Sequence, residues 1–217
     1  MVLRYTFFMN QFKAVLFDMD GTLIDARDWH KQALNDALGI FGFAISDNLH
    51  KEKLDGLSTN KKLDYLTSNF AFPRELHSMI FDIKQDRTLR IAAQNCYPIV
   101  SVQILLKRLE LLGIRMGVVT NSIRETSETM LKYGGIYKYF EFVVTNEDVI
   151  NPKPNPEGYN LACKNLKLNP SEILVVEDGI YGIQAAELAG IHNVIKVDNP
   201  SHLNIELLLP YFELLNG

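Results

Sequence analysis

The sequence has few cysteines, no long apolar run and no excess of basic residues, and each absence excludes a class of protein. Only Cys96 and Cys163 occur, with no CxxC pair, so we expect neither a disulfide framework nor a zinc site. No apolar run reaches the roughly 18 residues of a membrane span. The formal net charge of −4 gives no electrostatic footprint for nucleic acid or an anionic membrane. We therefore expect a cytoplasmic protein without nucleic-acid or membrane partners.

The composition is that of an ordinary globular protein, and the length allows one large domain or a core with an insertion. Hydrophobic residues make up 47% and charged residues 22% of the 217 residues, which is close to the average for globular domains. The N-terminal segment, MVLRYTFFMNQF, has no small-residue cleavage site and is not expected to be a signal peptide. Translation could start at Met1 or at Met9. We expect a monomer or a weak dimer.

Five short apolar segments are typical of buried β-strands. They are KAVLF, RMGVVT, FEFVVT, EILVVE and NVIKV, which begin at residues 13, 115, 140, 172 and 193. Single helical patterns separate the last four segments, and this alternation indicates a parallel sheet with helices on both faces. We therefore predict an α/β fold with a Rossmann-like, doubly wound parallel sheet.

A block of helical patterns lies between the first and second predicted strands. From about residue 28 to residue 93, apolar residues recur at three- and four-residue spacing without a strand pattern. The block contains nine basic and nine acidic residues, and this balance favours a small ligand over a polyanion. We predict a helical cap domain, residues 28–93, inserted into a core domain made of residues 12–27 and 94–217.

Polar side chains that suit catalysis follow four of the predicted strands. They are Asp18 and Asp20 after the first strand, Thr120, Asn121 and Ser122 after the second, Lys153 after the third, and Glu177 and Asp178 at the end of the fourth. Each residue taken alone is more often a turn former, a helix cap or a solvated loop residue. Because ligands bind beyond the carboxyl ends of strands in an open parallel sheet, the joint occurrence predicts one functional site.

The charges of this predicted site need a positive partner. Clustered carboxylates repel one another unless a cation joins them, and oxygen ligands suit Mg²⁺, which Lys153 would assist. Hydroxyl and amide groups, with backbone N–H groups at a helix start, favour phosphate. With an ordinary pKa near ~4, Asp18 would be ionised at neutral pH and could attack phosphorus to give an aspartyl phosphate. Asp20 would then serve as general acid for the leaving oxygen and as base for water.

The segments DMDGTLID, VVTNS, NPKPNPEGY and VVEDGIYGIQAA resemble, in order, the four motifs of the haloacid dehalogenase superfamily. Over nearly its whole length the chain is similar to the subgroup with a helical cap, which contains β-phosphoglucomutase and sugar-phosphate phosphatases. The resemblance implies that Asp18 is the nucleophile and Asp20 the acid/base. It also implies a catalytic Lys153, a phosphate site with Thr120, Asn121 and Lys153, and Mg²⁺ ligands from Asp18, the backbone carbonyl of Asp20, Glu177 and Asp178.

Asp20 distinguishes between branches of the superfamily. Dehalogenases lack this second aspartate, and phosphonate hydrolases have a different first motif, so the resemblance implies phosphoryl transfer. The expected protein is a Mg²⁺-dependent phosphatase, a phosphoric monoester hydrolase, that acts on a small phosphorylated metabolite and, by analogy, on a sugar phosphate. A receiver-type phosphoacceptor also gathers such residues around Mg²⁺, but receiver domains are about half this length and lack a helical insertion.

Three cap positions matter, by analogy, for the choice between phosphatase and mutase. His30 stands where the mutase carries a histidine, which many phosphatases share, and the resemblance matches Lys84 to a cap lysine that reaches the active site. Both could also be ordinary solvated helix residues. In DGLSTNKKL, Thr59 stands where the mutase is expected to have an arginine, and Lys61 and Lys62 offer only flexible point charges in its place. We therefore expect hydrolysis, with a β-phosphoglucomutase-like mutase as the alternative.

Overall fold

The computed structural model describes residues 12–212, and its centre is a single parallel sheet. The strands are β1 (Ala14–Phe17), β2 (Arg115–Val119), β3 (Phe142–Val144), β4 (Ile173–Glu177) and β5 (Val194–Lys196). Their order is β3-β2-β1-β4-β5, and every neighbouring pair is parallel. The predicted sheet is confirmed, whereas the alternative start sites Met1 and Met9 lie outside the described residues.

The apolar run of β1 is explained by its place in the middle of the sheet. All four of its residues are buried. Because successive side chains of a strand point to opposite faces, Ala14 and Leu16 join one apolar cluster, and Val15 and Phe17 join another. A strand covered on both faces therefore has no polar alternation.

Helices of the core cover both faces of the sheet. These helices are α5 (Val100–Leu111), α6 (Arg124–Tyr133), α7 (Glu157–Leu166), α8 (Ile180–Leu188) and α9 (Ile205–Leu208). Buried residues of α5, α6 and α9 pack in the cluster that contains Val15 and Phe17. Buried residues of α7 and α8 pack in the cluster that contains Ala14 and Leu16. The core is therefore doubly wound, as predicted.

A helical insertion follows β1, and it has its own apolar cluster. Its helices are α1 (Arg27–Gly39), α2 (Asp47–Leu49), which continues as a wider turn over His50–Leu54, α3 (Thr59–Phe70) and α4 (His77–Asn95). Leu34, Leu38, Leu63 and Ile80 belong to a cluster separate from those of the sheet. The inserted helical cap is confirmed, and 28–93 remains our proposal for its limits. Among the helices of residues 12–212, none is both long and apolar enough to span a bilayer.

The strand order places a crevice at the carboxyl ends of β1 and β4. The chain leaves β1 towards β2 on one side of the sheet and leaves β4 towards β5 on the other. Ligands bind at such switch points in doubly wound sheets. The residues at these two strand ends are Asp18 and Glu177.

Candidate active site

Three carboxylates meet at this crevice around one lysine. Asp18, Glu177 and Asp178 each offer an oxygen, and these oxygens all lie within 4.8 Å of one another. Lys153 Nζ donates to Asp18 Oδ1 at 2.6 Å and to Glu177 Oε1 at 2.7 Å. Asp18, Lys153 and Glu177 are buried. The structure therefore brings together four of the residues that were predicted to meet beyond the strand ends, namely Asp18, Lys153, Glu177 and Asp178.

Backbone groups and glycines position the acidic pair. Glu177 Oε2 accepts hydrogen bonds from the backbone N–H groups of Asp178 (2.8 Å) and Gly179 (2.9 Å). A Cβ at Gly182 would lie 1.4 Å from Glu177 Oε1. Gly21 has a φ of +95°, and a Cβ there would lie 2.1 Å from Asp178 Oδ2. Close approach of the carboxylates therefore requires glycine at both positions.

Arg27 is a member of the site that the sequence analysis missed. Its Nε donates to Asp178 Oδ2 at 2.6 Å, and its Nη2 contacts the same oxygen. Arg27 is the first residue of α1, directly before the proposed start of the cap at residue 28, so the first inserted helix supplies a cation to a carboxylate of the core. No motif indicated this pairing, because helix periodicity does not tell which charged residue of a first turn faces a distant strand.

Burial and mutual repulsion keep the acidic cluster from ionising freely. Burial, and then the charge of Glu177, raise the pKa of Asp18 well above its usual range, although Lys153 opposes them. Burial and Glu177 likewise raise the pKa of Asp178 to about 7, against the charge of Arg27. The expectation of an ordinary pKa for Asp18 is therefore wrong for the protein alone. Added positive charge would lower both pKa values, and a donor set of carboxylate oxygens suits a hard cation.

Asp20 is held by a chain of polar side chains from the core and the cap. Its Oδ2 accepts a hydrogen bond from Ser122 Oγ at 2.7 Å, and its Oδ1 lies 3.0 Å from His30 Nε2. Lys84 Nζ lies 3.1 Å from His30 Nδ1. Because an ammonium group can only donate, Nδ1 accepts from Lys84, and the ring proton is on Nε2, which donates to Asp20. His30 and Lys84 are thus largely shielded from solvent and hydrogen-bonded, so the alternative that they are solvated helix residues is wrong, and their role in substrate binding stays a prediction.

Burial and the contacts among these side chains set the pKa values of Asp20 and His30. Burial alone would raise the pKa of Asp20, but His30 and the hydrogen bond from Ser122 outweigh it and lower the pKa. Burial lowers the pKa of His30, with a contribution from Lys84 and against Asp20. An ionised Asp20 beside a neutral His30 therefore fits the geometry.

The side chains of Thr120 and Asn121 organise the loops around the cavity. Thr120 Oγ1 accepts from the backbone N–H of Ser122 at 3.0 Å. Asn121 Oδ1 accepts from the backbone N–H of Lys153 at 3.0 Å, and its Nδ2 donates to the carbonyls of Gly56 and Lys153 at 2.9 and 3.2 Å. The Asn121 amide is therefore engaged with backbone groups, and the predicted contact of both residues with phosphate stays a prediction.

The candidate site lines a cavity of about 200 Å³ between core and cap. All ten polar residues that the sequence predicted for the site, Ser122 included, line it. Lys62 and His50 also line the cavity, and both are buried although neither was among the predicted site residues. Lys61 lies outside it and donates to the carbonyls of Pro152 and Lys153 at 3.3 and 3.4 Å. The two lysines expected to be equivalent flexible charges therefore have different environments.

The fold and this site define a class of enzyme, a hydrolase with acidic residues at the ends of two neighbouring strands and a helical cap over them. Residues 15–196 match the family model described as haloacid dehalogenase-like hydrolase. The chain belongs to this family, as its motifs predicted.

Relatives of the chain carry phosphatase names. The pyrophosphatase PpaX of Bacillus velezensis is 30% identical over 186 residues, which cover 82% of this chain and 79% of the relative. The fructose-1-phosphate phosphatase YqaB of Escherichia coli is 28% identical over 185 residues, which cover 85% of this chain and 96% of the relative. With the family match, these relatives confirm the predicted enzyme class, a phosphoric monoester hydrolase.

A solved structure of a family member confirms the predicted fold. The β-phosphoglucomutase from Clostridium difficile superposes with a TM-score of 0.78 and covers 93% of this chain and 97% of its own. The two sequences are 23% identical, and at this identity the likeness shows the fold alone.

Proposed function

We propose that the chain is a Mg²⁺-dependent phosphatase that hydrolyses a small phosphomonoester through a phosphorylated Asp18. The observation that carries this proposal is the position of Asp18, whose Oδ1 accepts a hydrogen bond from Lys153 at 2.6 Å within an acidic cluster that lines the cavity. Asp20, with its separate hydrogen bonds to His30 and Ser122, lines the same cavity. One carboxylate is thus held for attack and a second for proton transfer.

The acidic cluster would hold the metal ion. Asp18, Glu177 and Asp178 offer carboxylate oxygens within a common 4.8 Å, and the backbone carbonyl of Asp20 would complete the protein ligands. When bound, Mg²⁺ supplies positive charge against the repulsion between Asp18 and a phosphate dianion, about 4 kcal/mol per unit-charge pair at 4 Å and an effective dielectric of 20. Lys153 contributes to the same neutralisation.

The side chains divide the two half-reactions between them. Asp18 Oδ attacks phosphorus, the bond from phosphorus to the ester oxygen breaks, and Asp20 gives that oxygen a proton. Water then attacks the phosphorylated Asp18, Asp20 takes its proton, and phosphate leaves as the carboxylate re-forms. The lowered pKa of Asp20 suits the base role directly. The acid role needs a proton on Asp20 in the substrate complex, where a nearby phosphate dianion raises its pKa.

The substrate we propose is a small phosphorylated metabolite, with a sugar phosphate as the first candidate. A cavity of about 200 Å³ is below the usual range of roughly 300–1,000 Å³ for ligand pockets, which supports a small molecule. The names of the relatives, a fructose-1-phosphate phosphatase and a pyrophosphatase, support the same class. A cytoplasmic location and a monomer or weak dimer remain part of this proposal.

Hydrolysis is favoured over a mutase reaction by the cap. A mutase must keep water from its phosphorylated aspartate while the intermediate reorients, and its arginine fork is replaced here by Thr59. Family membership removes the receiver-type alternative. The mutase remains the second candidate because the hydrogen-bonded chain from Asp20 through His30 to Lys84 would serve either reaction.

A phosphate-release screen over small phosphomonoesters with Mg²⁺ tests this function. We expect inorganic phosphate to appear at the rate at which substrate disappears, without a bisphosphate activator, and Asp18→Asn to be inactive. Isomerisation of a sugar phosphate without stoichiometric phosphate release would show that the chain is a mutase instead.

A further inference from the structure

The cap wall of the cavity carries two buried polar side chains that the proposed mechanism does not use. Lys62, from α3, is 7% exposed, and His50, from the turn after α2, is 6% exposed. Both line the cavity that holds Asp18 and Asp20. Most charged side chains on the surface of a helical domain are exposed to solvent. Lys62 and His50 differ from them because they are buried.

Lys62 has no partner among residues 12–212, where its ammonium group forms neither a hydrogen bond nor an ion pair. It occupies the buried stripe of α3 together with Thr59, Leu63 and Leu66. Burial lowers the pKa of Lys62, while Asp55 and Asp20 raise it from beyond ion-pair distance. Burying a charged group without a partner costs free energy of folding. An anion bound in the cavity would pair with the Lys62 ammonium group and remove this cost.

His50 provides a second unsatisfied group on the same wall. Its Nε2 is buried without a hydrogen-bond partner in the described part of the chain. Burial and the charge of Lys62 lower the pKa of His50 to about 4, so its imidazole is neutral at physiological pH. A neutral imidazole with a free nitrogen adds one hydrogen bond to a ligand without adding charge.

Lys84 brings a second cation close to Lys62. Its charge and that of Lys62 interact unfavourably, and burial together with Lys62 lowers the pKa of Lys84 to about 7. His30 takes one of the three ammonium donors of Lys84. In contrast, Lys153 of the core and Arg27 at the start of α1 are both bound to carboxylates of the acidic cluster. Positive charge without an ion-pair partner in the described part of the chain therefore lies on the cap side of the cavity, where Lys62 and Lys84 are not bound to the acidic cluster.

We propose that Lys62, together with His50 and Lys84, forms a subsite that binds a second anionic group of the substrate, a carboxylate or a phosphate. This group lies at the end of the molecule remote from the transferred phosphoryl group. The inference rests on the proposed phosphatase function and narrows its substrate class to phosphomonoesters with a second acidic group. Lys62 is then a specificity-determining residue, because an uncharged substrate tail leaves its ammonium group buried and unpaired.

Three matched esters test the subsite through turnover. Phosphoglycolate, ethylene glycol bisphosphate and hydroxyethyl phosphate share a two-carbon skeleton and end in a carboxylate, a phosphate and a hydroxyl group. With Mg²⁺ we expect the wild-type kcat/KM for at least one anionic ester to exceed that for hydroxyethyl phosphate by about tenfold or more. The preferred ester tells which anion the subsite takes. Similar values for all three esters would overturn the proposal.

Variants locate the selectivity in Lys62. Lys62→Met should bring the ratio between anionic and neutral esters close to one by lowering only the anionic values, and Lys62→Arg should keep it. Lys61→Met removes the same charge one residue earlier, outside the cavity, and should leave the ratio unchanged. Equal losses on all three esters in Lys62→Met would contradict the proposal. The melting temperature of Lys62→Met is measured alongside, and we expect it to be no lower than that of the wild type.

Binding separates this inference from the proposed function. Calorimetry on Asp18→Asn, which should bind esters without turnover, is compared with Asp18→Asn combined with Lys62→Met. If Asp18→Asn binds an anionic ester more tightly than hydroxyethyl phosphate, and the added Lys62→Met substitution removes this difference, the subsite is supported. This holds even if the wild type releases no phosphate and the phosphatase proposal fails. Phosphate release from all three esters, with equal affinities, would sustain the phosphatase and refute the subsite.

Discussion

Single residues set the spacing of the acidic cluster, and glycine is as necessary there as the carboxylates. Glu177 reaches Lys153 and the backbone N–H groups after β4 because Gly182 has no side chain. Asp178 reaches Arg27 because Gly21 has none and adopts a positive φ. The two glycines lie close to Glu177 and Asp178 because of tertiary contacts between chain segments. Local sequence patterns do not predict such contacts.

Gly182→Ala should displace the Glu177 carboxylate, because the added Cβ would lie 1.4 Å from Oε1. We expect the contact between Glu177 and Lys153 to be lost and kcat for phosphate release to fall by about 100-fold. Gly39→Ala, at a position with no neighbouring atom within 4 Å, is the matched control. Steady-state kinetics of both variants at saturating Mg²⁺ check the prediction, and unchanged kcat in Gly182→Ala would refute this packing argument.

Lys84 should make substrate binding depend on pH near neutrality. Burial, with Lys62, lowers its pKa to about 7, so its charge is present below that pH and is lost above it. The KM of the wild type should therefore rise between about pH 6 and pH 8 beyond the change caused by substrate ionisation. The ratio of the Lys84→Met KM to the wild-type KM removes the substrate effect and should fall as pH rises. A constant ratio would show that Lys84 keeps one charge state.

At the scale of elements, the sequence predicted the core side of the site better than the cap side. Residues that follow parallel strands must meet at one sheet edge, so Asp18, Thr120, Lys153 and Glu177 could be placed together from strand order alone. Cap helices give no such rule, because their rotation over the core depends on packing. Arg27 and His50 were missed for this reason.

A signal for Lys62 was nevertheless present in the sequence. Thr59, Lys62, Leu63 and Leu66 follow the spacing of a helix face, and the structure buries all four. A lysine within an otherwise apolar stripe is unfavourable for packing, so it indicates either a partner or a ligand. Thr88, Ala92 and Ile80 place Lys84 on a similar stripe of α4.

Asn121 links the cap to the loop that carries Lys153, and this link can be broken with little change in shape. Asn121→Asp keeps an oxygen that can accept from the Lys153 N–H, but it removes the amide NH₂ group that donates to the carbonyls of Gly56 and Lys153. Leaving such groups unpaired costs about 1–3 kcal/mol, so the melting temperature should fall by several degrees and KM should rise. Asn160→Asp, on the exposed side of α7, is the control. Identical melting temperatures for the two variants would argue against the link.

For the whole molecule, the core side of the cavity carries the acidic cluster, and the cap side carries four lysines against two carboxylates, Glu52 and Asp55. The formal net charge of −4 conceals this division, and composition alone therefore indicated nothing about the ligand beyond excluding polyanions. The acidic cluster also carries a cost in stability, since burial and repulsion raise the pKa of Asp18 and Asp178. Activity and stability are therefore opposed at this site.

Mg²⁺ should relieve this cost. A carboxylate whose pKa is raised on folding destabilises the folded protein as the pH rises above its ordinary pKa, and the loss grows until the pH passes the raised pKa, which is about 7 for Asp178. In chelator, Asp18→Asn should melt at a higher temperature than the wild type, by about 2–4 °C for each kcal/mol relieved. Added Mg²⁺ should raise the melting temperature of the wild type more than that of the variant. Thermal denaturation with chelator and with Mg²⁺ checks both statements, and a wild type insensitive to Mg²⁺ would contradict them.

The phosphorylated side chain of Asp18 is the central claim, and rapid quenching tests it most directly. Wild-type enzyme is mixed with Mg²⁺ and a phosphomonoester that it hydrolyses. The reaction is quenched in acid, and the protein is digested and analysed by mass spectrometry. We expect one phosphoryl adduct, on Asp18, and none in Asp18→Asn or in the presence of chelator. An adduct on a different residue, or steady phosphate release by Asp18→Asn, would contradict the account.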